Sequence, residues 1–402
     1  MKRSVDLAGK VVGAQPLTPA GSVVLDAIRF GAAIAVVVGH LSNSPFSTRW
    51  PYRLDLSVNA VAVFFVLSGF VIRLITTVRP VTVQDYAVGR LSRIYSVAIP
   101  AVLFTCAVAL LLHLAPSTRL SEPIEFDLKT IARQALGNLT FTGSIWGLDL
   151  PVSFNQVFWS LCYECAYYCF YGVALFARGW VRWVSLVALA VFVGPPILFL
   201  LPLWIFGCFI HDFYQRLRLR RQSLSYVTGV LAVAGLMMFV LRHSFRGIIP
   251  EITNAMEKEG VAGLLALARE HHLHLLQRAS FHAYVIGVPA GLMMLWLLLL
   301  VDRAKLRKDY RGKEIVRKVA DGTFSLYLFH IPLLMLIAAF VPYNHASSVQ
   351  KIAALTIVLI ISVVIDVPMN WLKRLLRWKL SLWTAQSASR GRVSGRVGLA
   401  MR

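Results

Sequence analysis

Long apolar runs separated by short polar segments dominate the chain. A helix that crosses a bilayer needs about 20 mostly apolar residues, and ten runs approach or reach that length. They are residues 23–41, 57–75, 94–114, 157–177, 183–200, 201–214, 224–241, 281–301, 319–340 and 352–371. The pattern therefore predicts an all-α, polytopic membrane protein with about ten transmembrane helices.

The fifth and sixth runs are the weakest of these spans. Gly194-Pro195-Pro196 and Pro202 interrupt the stretch, and the sixth run is short. Since proline disrupts a helix interior, the two runs form either two spans or one broken, re-entrant element. Residues 126–139 and 252–270 instead have one apolar face at helical spacing. They are predicted to be amphipathic helices at the outer membrane interface.

Composition narrows the class of protein. Hydrophobic residues make up 57% of the 402 residues and charged residues 15%, against about 45–50% and about 25% in soluble domains. A chain this apolar is not intrinsically disordered. Its formal net charge of +22 suits the cytoplasmic loops of a membrane protein better than a nucleic-acid-binding surface, so no nucleic-acid partner is expected.

The distribution of basic residues predicts the orientation. With both termini in the cytoplasm, 29 of the 41 Lys and Arg residues lie on the cytoplasmic side, as the positive-inside rule requires. The first run carries Asp26 and Arg29 and is read as an uncleaved span, not a signal peptide. We predict a cytoplasmic N-terminal segment (1–22), a membrane domain (23–372) and a basic, disordered cytoplasmic tail (373–402).

Ionisable side chains inside spans are the first chemical candidates, because each costs about 2.5–3.5 kcal/mol at the bilayer centre. Arg29 and His40 are eleven residues apart, which puts them about 20° apart on one helix face and roughly 16 Å apart along the axis. Arg29 either reaches a ligand, pairs with Asp26, or extends to the inner interface. His40 is either a catalytic group or an interfacial histidine.

Two later spans carry further candidates. Glu164 lies about two turns into the fourth span, beside Trp159 and several tyrosines. Its carboxylate orients a histidine, accepts a hydrogen bond from a hydroxylated substrate, or pairs with a basic residue on another helix. His330 lies near mid-membrane, just before Pro332. It is a proton carrier, a substrate ligand or a core histidine with satisfied hydrogen bonds.

The second and third spans add a serine and two arginines. Ser68 and Gly69 place a small polar group where another helix or a ligand approaches closely, and packing alone also explains them. Arg90 and Arg93 stand one turn apart at the start of the third span. Such a pair can grip a phosphate, or simply contribute positive charge to a cytoplasmic loop.

No metal site is expected. Cys162, Cys165 and Cys169 fall on one helix stripe inside an apolar run, which favours a packing face over a metal or thiol site. His271, His272 and His274 follow Glu270 without a firm ligand spacing, as at a solvated helix end.

Five segments, in order, resemble the acyltransferase-3 family of membrane acyltransferases, which includes O-antigen, exopolysaccharide and nodulation-factor acetylases. They are LDAIRFGAAIAVVVGH with Arg29 and His40, VFFVLSGFVI with Ser68, the Arg90/Arg93 pair, FWSLCYECAYY with Trp159, Ser160 and Glu164, and FSLYLFHIP with Tyr327 and His330. The resemblance runs from about residue 22 to 372. Many members carry a further extra-cytoplasmic, hydrolase-like domain after this core, whereas only about 30 residues follow the last span here.

The resemblance implies an O-acyltransferase of the bacterial inner membrane that uses cytoplasmic acyl-CoA, usually acetyl-CoA. The acceptor would be a hydroxyl of a cell-surface or lipid-linked glycan. His40 would be the catalytic base and Glu164 would fix its tautomer, while Arg29, Arg90 and Arg93 would hold the donor phosphates. Substrate-binding or structural roles fall to Asp26, Ser68, Trp159, Tyr327 and His330.

Several alternatives stay open. The acyl group passes either directly to the acceptor or through an acyl-histidine. The acceptor could instead be a small metabolite such as an antibiotic. Buried charges also line transporters, although the sequence has no inverted-repeat signal.

Overall fold

The computed structural model describes residues 14–42, 56–117, 119–120, 123–220, 279–304, 322–342, 344 and 347–399. These residues form ten α-helices and no β-strand. The helices are α1 (Pro19–Leu41), α2 (Leu56–Val78), α3 (Val83–Leu114), α4 (Leu128–Leu139), α5 (Phe158–Phe176), α6 (Gly179–Val193), α7 (Pro195–Arg220), α8 (Ala279–Arg303), α9 (Thr323–Phe340) and α10 (Ser348–Leu399). The all-α prediction is confirmed.

Seven of these helices are long and apolar enough to cross a membrane: α1, α2, α3, α7, α8, α9 and α10. The protein is therefore a polytopic membrane protein. The fourth predicted span is the 19-residue helix α5, and α6 is a shorter apolar helix of 15 residues. The predicted span 224–241, the predicted amphipathic helix 252–270 and the histidines at 271, 272 and 274 lie outside the described residues.

The structure corrects the boundary between the fifth and sixth predicted spans. The chain breaks at Gly194, not near residue 200, and α7 continues through Pro202. Gly194 has a φ of +79°, and a Cβ there would lie 2.9 Å from the Cα of Trp146, so this turn requires glycine. Pro195 and Pro196 then occupy the first turn of α7, where the missing N–H groups cost nothing.

The last helix is longer than the sequence predicts. α10 extends to Leu399, so residues 373–399 are helical where a disordered tail is predicted above. The segment WLKRLLRWKLSL continues the apolar span with leucines and tryptophans at helical spacing, which explains why the helix does not stop at the end of the apolar run. The predicted amphipathic helix at 126–139 is present as α4, and the Asp127 side chain caps its N-terminus.

The closest helix contact is between α2 and α7. A Cβ at Gly69 would lie 2.0 Å from the carbonyl oxygen of Trp204, and one at Gly207 would lie 2.0 Å from that of Val66. Only glycine permits this approach, so Gly69 serves helix packing. The neighbouring Ser68 belongs to the same turn of α2 and lines the cavity described next.

Candidate active site

A cavity lies between α1, α2, α3, α5 and α9, with a volume of about 740 Å³ including its mouth. Most of its wall is apolar and comes largely from α2, including Phe64, Phe65 and Val71. The polar part contains much of the set that the sequence singles out: Arg29, Ser68, Arg90, Arg93, Ser160, Glu164 and Tyr327. Helices far apart in sequence thus bring these residues to one place.

Three arginines give the cavity its positive charge. Arg29 Nη1 lies 3.4 Å from Asp26 Oδ1, one turn earlier on α1, so these two residues pair while Arg29 also lines the cavity. Arg90 lies over the ring of Tyr168, with its guanidinium carbon 5.7 Å from the ring centroid. Within the described part of the chain, neither Arg90 nor Arg93 forms an ion pair. This end of the cavity therefore carries excess positive charge.

A carboxylate with two hydroxyl partners lies in the same wall. Ser68 Oγ donates a hydrogen bond of 2.7 Å to Glu164 Oε1, and the Tyr168 hydroxyl donates to the same oxygen. The predicted hydrogen bond from a His40 N–H to the Glu164 carboxylate is not made. Because α2 packs against α5 at this level, Ser68 takes the place that the prediction gave to the histidine.

His40 and His330 form a pair, with ring centroids 5.1 Å apart. His330 Nδ1 lies 3.1 Å from the carbonyl oxygen of Leu326 and 2.8 Å from that of Tyr327. Carbonyl oxygens only accept hydrogen bonds, so Nδ1 carries the proton and Nε2 is a bare acceptor. That Nε2 is buried and has no partner among the described residues. The interpretation of His330 as a fully satisfied core histidine is therefore wrong for this nitrogen.

Tyr327 stands at the boundary between the cavity and the histidine pair. It lines the cavity, whereas His40 and His330 are absent from the wall that the described residues form. The Tyr327 ring centroid lies 6.2 Å from that of His330, and its hydroxyl is 2.6 Å from Ser160 Oγ. Trp159 does not line the cavity either; it packs edge-on against Tyr163 and Phe65.

Asn155 is a site residue that the sequence analysis missed. In a regular helix the Leu328 carbonyl would accept from residue 332, but Pro332 has no N–H. Asn155 Nδ2 fills this gap, 3.1 Å from the Leu328 oxygen, and also lies 3.1 Å from Thr105 Oγ1. The fully buried Asn155 thus ties the loop before α5 to α9, two residues from His330. Pro332 signals an orphan carbonyl in the sequence, although it does not identify the partner.

Comparison with known proteins identifies the family of the chain. No curated protein and no solved structure matched the chain. A family model described as "Acyltransferase domain" matches residues 23–370, which is nearly the whole chain and contains every motif that lines the cavity or forms the histidine pair. The protein accordingly belongs to the acyltransferase-3 family and is a membrane acyltransferase.

Proposed function

We propose that the protein transfers an acyl group from cytoplasmic acyl-CoA to a hydroxyl of a cell-surface or lipid-linked glycan, and that this acyl group is acetyl. The membrane concerned would be the bacterial inner membrane. The observation that carries this proposal is the cavity itself, whose wall combines three arginines with a largely apolar surface. Acyl-CoA has the matching form, since a strongly anionic nucleotide is joined to a thin, extended arm that ends in the thioester.

The arginines suit the phosphates of this donor. Guanidinium groups bind phosphate oxygens through two hydrogen bonds at once, and Arg90 and Arg93 have no carboxylate partner in the described structure. All three arginines lie on helices whose nearer ends are predicted to be cytoplasmic. The donor would therefore enter from the side on which it is made.

Ser68 and Glu164 suit the donor's arm. The Ser68 hydroxyl proton is directed at Glu164 Oε1, and the Tyr168 hydroxyl, 3.2 Å from Ser68 Oγ, donates to the same carboxylate. Ser68 Oγ can therefore accept a hydrogen bond from a ligand. An amide N–H of the pantetheine arm is such a donor. We assign Glu164 to orienting Ser68 and Tyr168, in place of the histidine-orienting role that the sequence predicts.

His40 acts as the general base in this proposal. It takes the proton of the acceptor hydroxyl, whose oxygen forms a bond to the thioester carbon. The carbon–sulfur bond then breaks, and the departing thiolate takes the proton from His40. In this proposal His330 Nε2, which has no partner in the part of the chain that the structure describes, comes to accept an N–H from His40 when the substrates bind, which leaves the other nitrogen of His40 free to take the proton. Because Tyr327 lines the cavity and its ring lies beside that of His330, we infer that Tyr327 moves when the thioester reaches His40.

The test compares surface glycans by mass spectrometry from cells that express the native protein, His40→Ala, or no protein. We expect one acetyl group per repeat with the native protein and a loss of about 10²–10⁴-fold in transfer for His40→Ala, at equal protein level. His113→Ala is the matched control, because His113 is exposed at the far end of α3. Undiminished acetylation in His40→Ala would refute the assignment.

Two further outcomes identify the alternatives. Purified protein that turns over acetyl-CoA while the glycans stay unchanged would point to a small-metabolite acceptor. Label that stays on native protein after incubation with radiolabelled acetyl-CoA alone, but not on His40→Ala, would indicate an acyl-histidine relay. Native protein that neither binds nor consumes acetyl-CoA would favour a transporter.

A further inference from the structure

A second, polar pocket of about 480 Å³, including the open space at its mouth, adjoins the cavity. The two share Arg29, Arg93, Thr323 and Phe324 as walls. On its far side the polar pocket is lined by Ser96 of α3 and by Asp366, Asn370 and Lys373 of α10. Arg29 and Arg93 therefore separate an apolar compartment from a polar one.

The far wall of the polar pocket is organised around a buried carboxylate. Asp366 is 8% exposed; its Oδ1 accepts from Ser325 at 2.8 Å and its Oδ2 from Asn370 at 2.5 Å. Both carboxylate oxygens are therefore engaged by neighbouring side chains. Since the side-chain amide nitrogen of Asn370 is directed at Asp366, the side-chain oxygen of Asn370, Oδ1, is left to accept a hydrogen bond from a ligand.

The charge of the polar pocket favours an anion. Arg29, Arg93 and Lys373 face one carboxylate, Asp366, in the wall that the described residues form. Arg29 also pairs with Asp26 outside this wall, so three cationic groups still exceed two carboxylates. Lysine acts as a point charge for phosphate, while arginine grips it with two donors.

We propose that the polar pocket binds the ribose 3′-phosphate end of acyl-CoA, with Lys373 as its phosphate ligand. This inference rests on the function proposed above and adds a second subsite to it. CoA carries a diphosphate in its middle and a further phosphate on the ribose. Arg29 and Arg93, shared by both compartments, then face the diphosphate. The pantetheine arm occupies the apolar cavity, and the side-chain oxygen of Asn370 accepts a hydrogen bond from the adenine amino group.

The experiment measures equilibrium binding of CoA and of dephospho-CoA, which lacks only the 3′-phosphate, to the purified full-length protein. We expect the native protein to bind CoA about tenfold more tightly, as for one charge-assisted hydrogen bond. Lys373→Ala should lose this preference by weakening CoA binding alone, and Lys373→Arg should keep most of it. Lys379→Ala is the control; it removes the same charge further along α10 and lines neither compartment.

Each outcome bears on the subsite separately from the proposed function. Equal affinity of the native protein for the two probes would overturn the subsite, whether or not any variant folds. So would a Lys373→Ala variant that keeps the preference or that weakens both probes equally. A lipid phosphate in the polar pocket would also give equal affinities. If the native protein bound neither probe, the proposed function itself would fail.

Discussion

Two charged regions of the bundle differ in how their charges are matched. In the first, here called the paired cluster, Arg73 forms a bidentate ion pair with Asp212, and the Nε–Oδ1 and Nη2–Oδ2 distances are both 2.9 Å. His211 donates to the same carboxylate at 3.0 Å, and Arg218 lies 3.1 Å from Asp302. In the second region, the cavity, Arg90 and Arg93 have no such partner within the described chain.

We infer that the difference separates charge that holds the fold from charge that binds a ligand. The paired cluster joins α2, α7, α8 and the segment before α1, because Asp302 also accepts from Thr18 at 2.7 Å and from Tyr214 at 2.6 Å. Its arginines and its carboxylates satisfy each other, and a partly buried pair of this kind needs no ligand. The cavity keeps unmatched arginines beside an open volume, and nearby His330 keeps an unmatched nitrogen. An anion would match these arginines, whereas a hydrogen-bond donor would match the His330 nitrogen.

The largest effect on stability is expected in the paired cluster. Asp212→Asn leaves Arg73 partly buried without its counter-charge, which should lower the free energy of unfolding by about 3 kcal/mol. Denaturant titration of the detergent-solubilised protein measures this, with Asp149→Asn, exposed in the loop before α5, as the control. CoA affinity of the folded fraction should not change. A variant as stable as the native protein would remove the distinction between the two regions.

A smaller loss of stability is expected from substituting Asn155, which holds α9 beside the histidine pair. Asn155→Ala leaves the Leu328 carbonyl buried without a partner, at a cost of about 2 kcal/mol. Pro332→Ala supplies the missing backbone N–H, so the double variant should recover stability relative to Asn155→Ala alone in the same titration. If the double variant is no more stable than Asn155→Ala, the stabilising role of Asn155 is not its hydrogen bond to the Leu328 carbonyl.

The sequence predicts the fold well where the signal is local. Apolar runs of bilayer length locate the membrane-spanning helices, and the resemblance of the motifs selects Arg29, Ser68, Arg90, Arg93, Glu164 and Tyr327, which all reach one cavity. Two boundaries depend on context. Proline is read as a helix breaker, yet Pro195 starts α7 and Pro202 lies inside it. The basic C-terminal segment also continues as helix.

The sequence pattern does not identify hydrogen-bond and ion-pair partners that are distant along the chain. Glu164 bonds to Ser68, 96 residues away, and Asn155 to Leu328, 173 residues away; both depend on how helices align after packing. The same holds for the paired cluster, whose Arg73 and Asp212 are 139 residues apart. From the sequence alone Arg73 is one more basic residue of a cytoplasmic loop. Only the three-dimensional structure shows that Arg73 forms an ion pair and that Arg90 and Arg93 do not form one with any described residue.

The central claim is that the unmatched arginines bind the anionic end of acyl-CoA. Calorimetric titration of CoA into native protein, Arg93→Ala and Arg79→Ala tests it most directly, because Arg79 is exposed and lines neither compartment. We predict that Arg93→Ala weakens CoA binding about tenfold, or about 1.4 kcal/mol, with unchanged unfolding free energy, while Arg79→Ala binds like the native protein. CoA binding of native strength by Arg93→Ala would contradict the account.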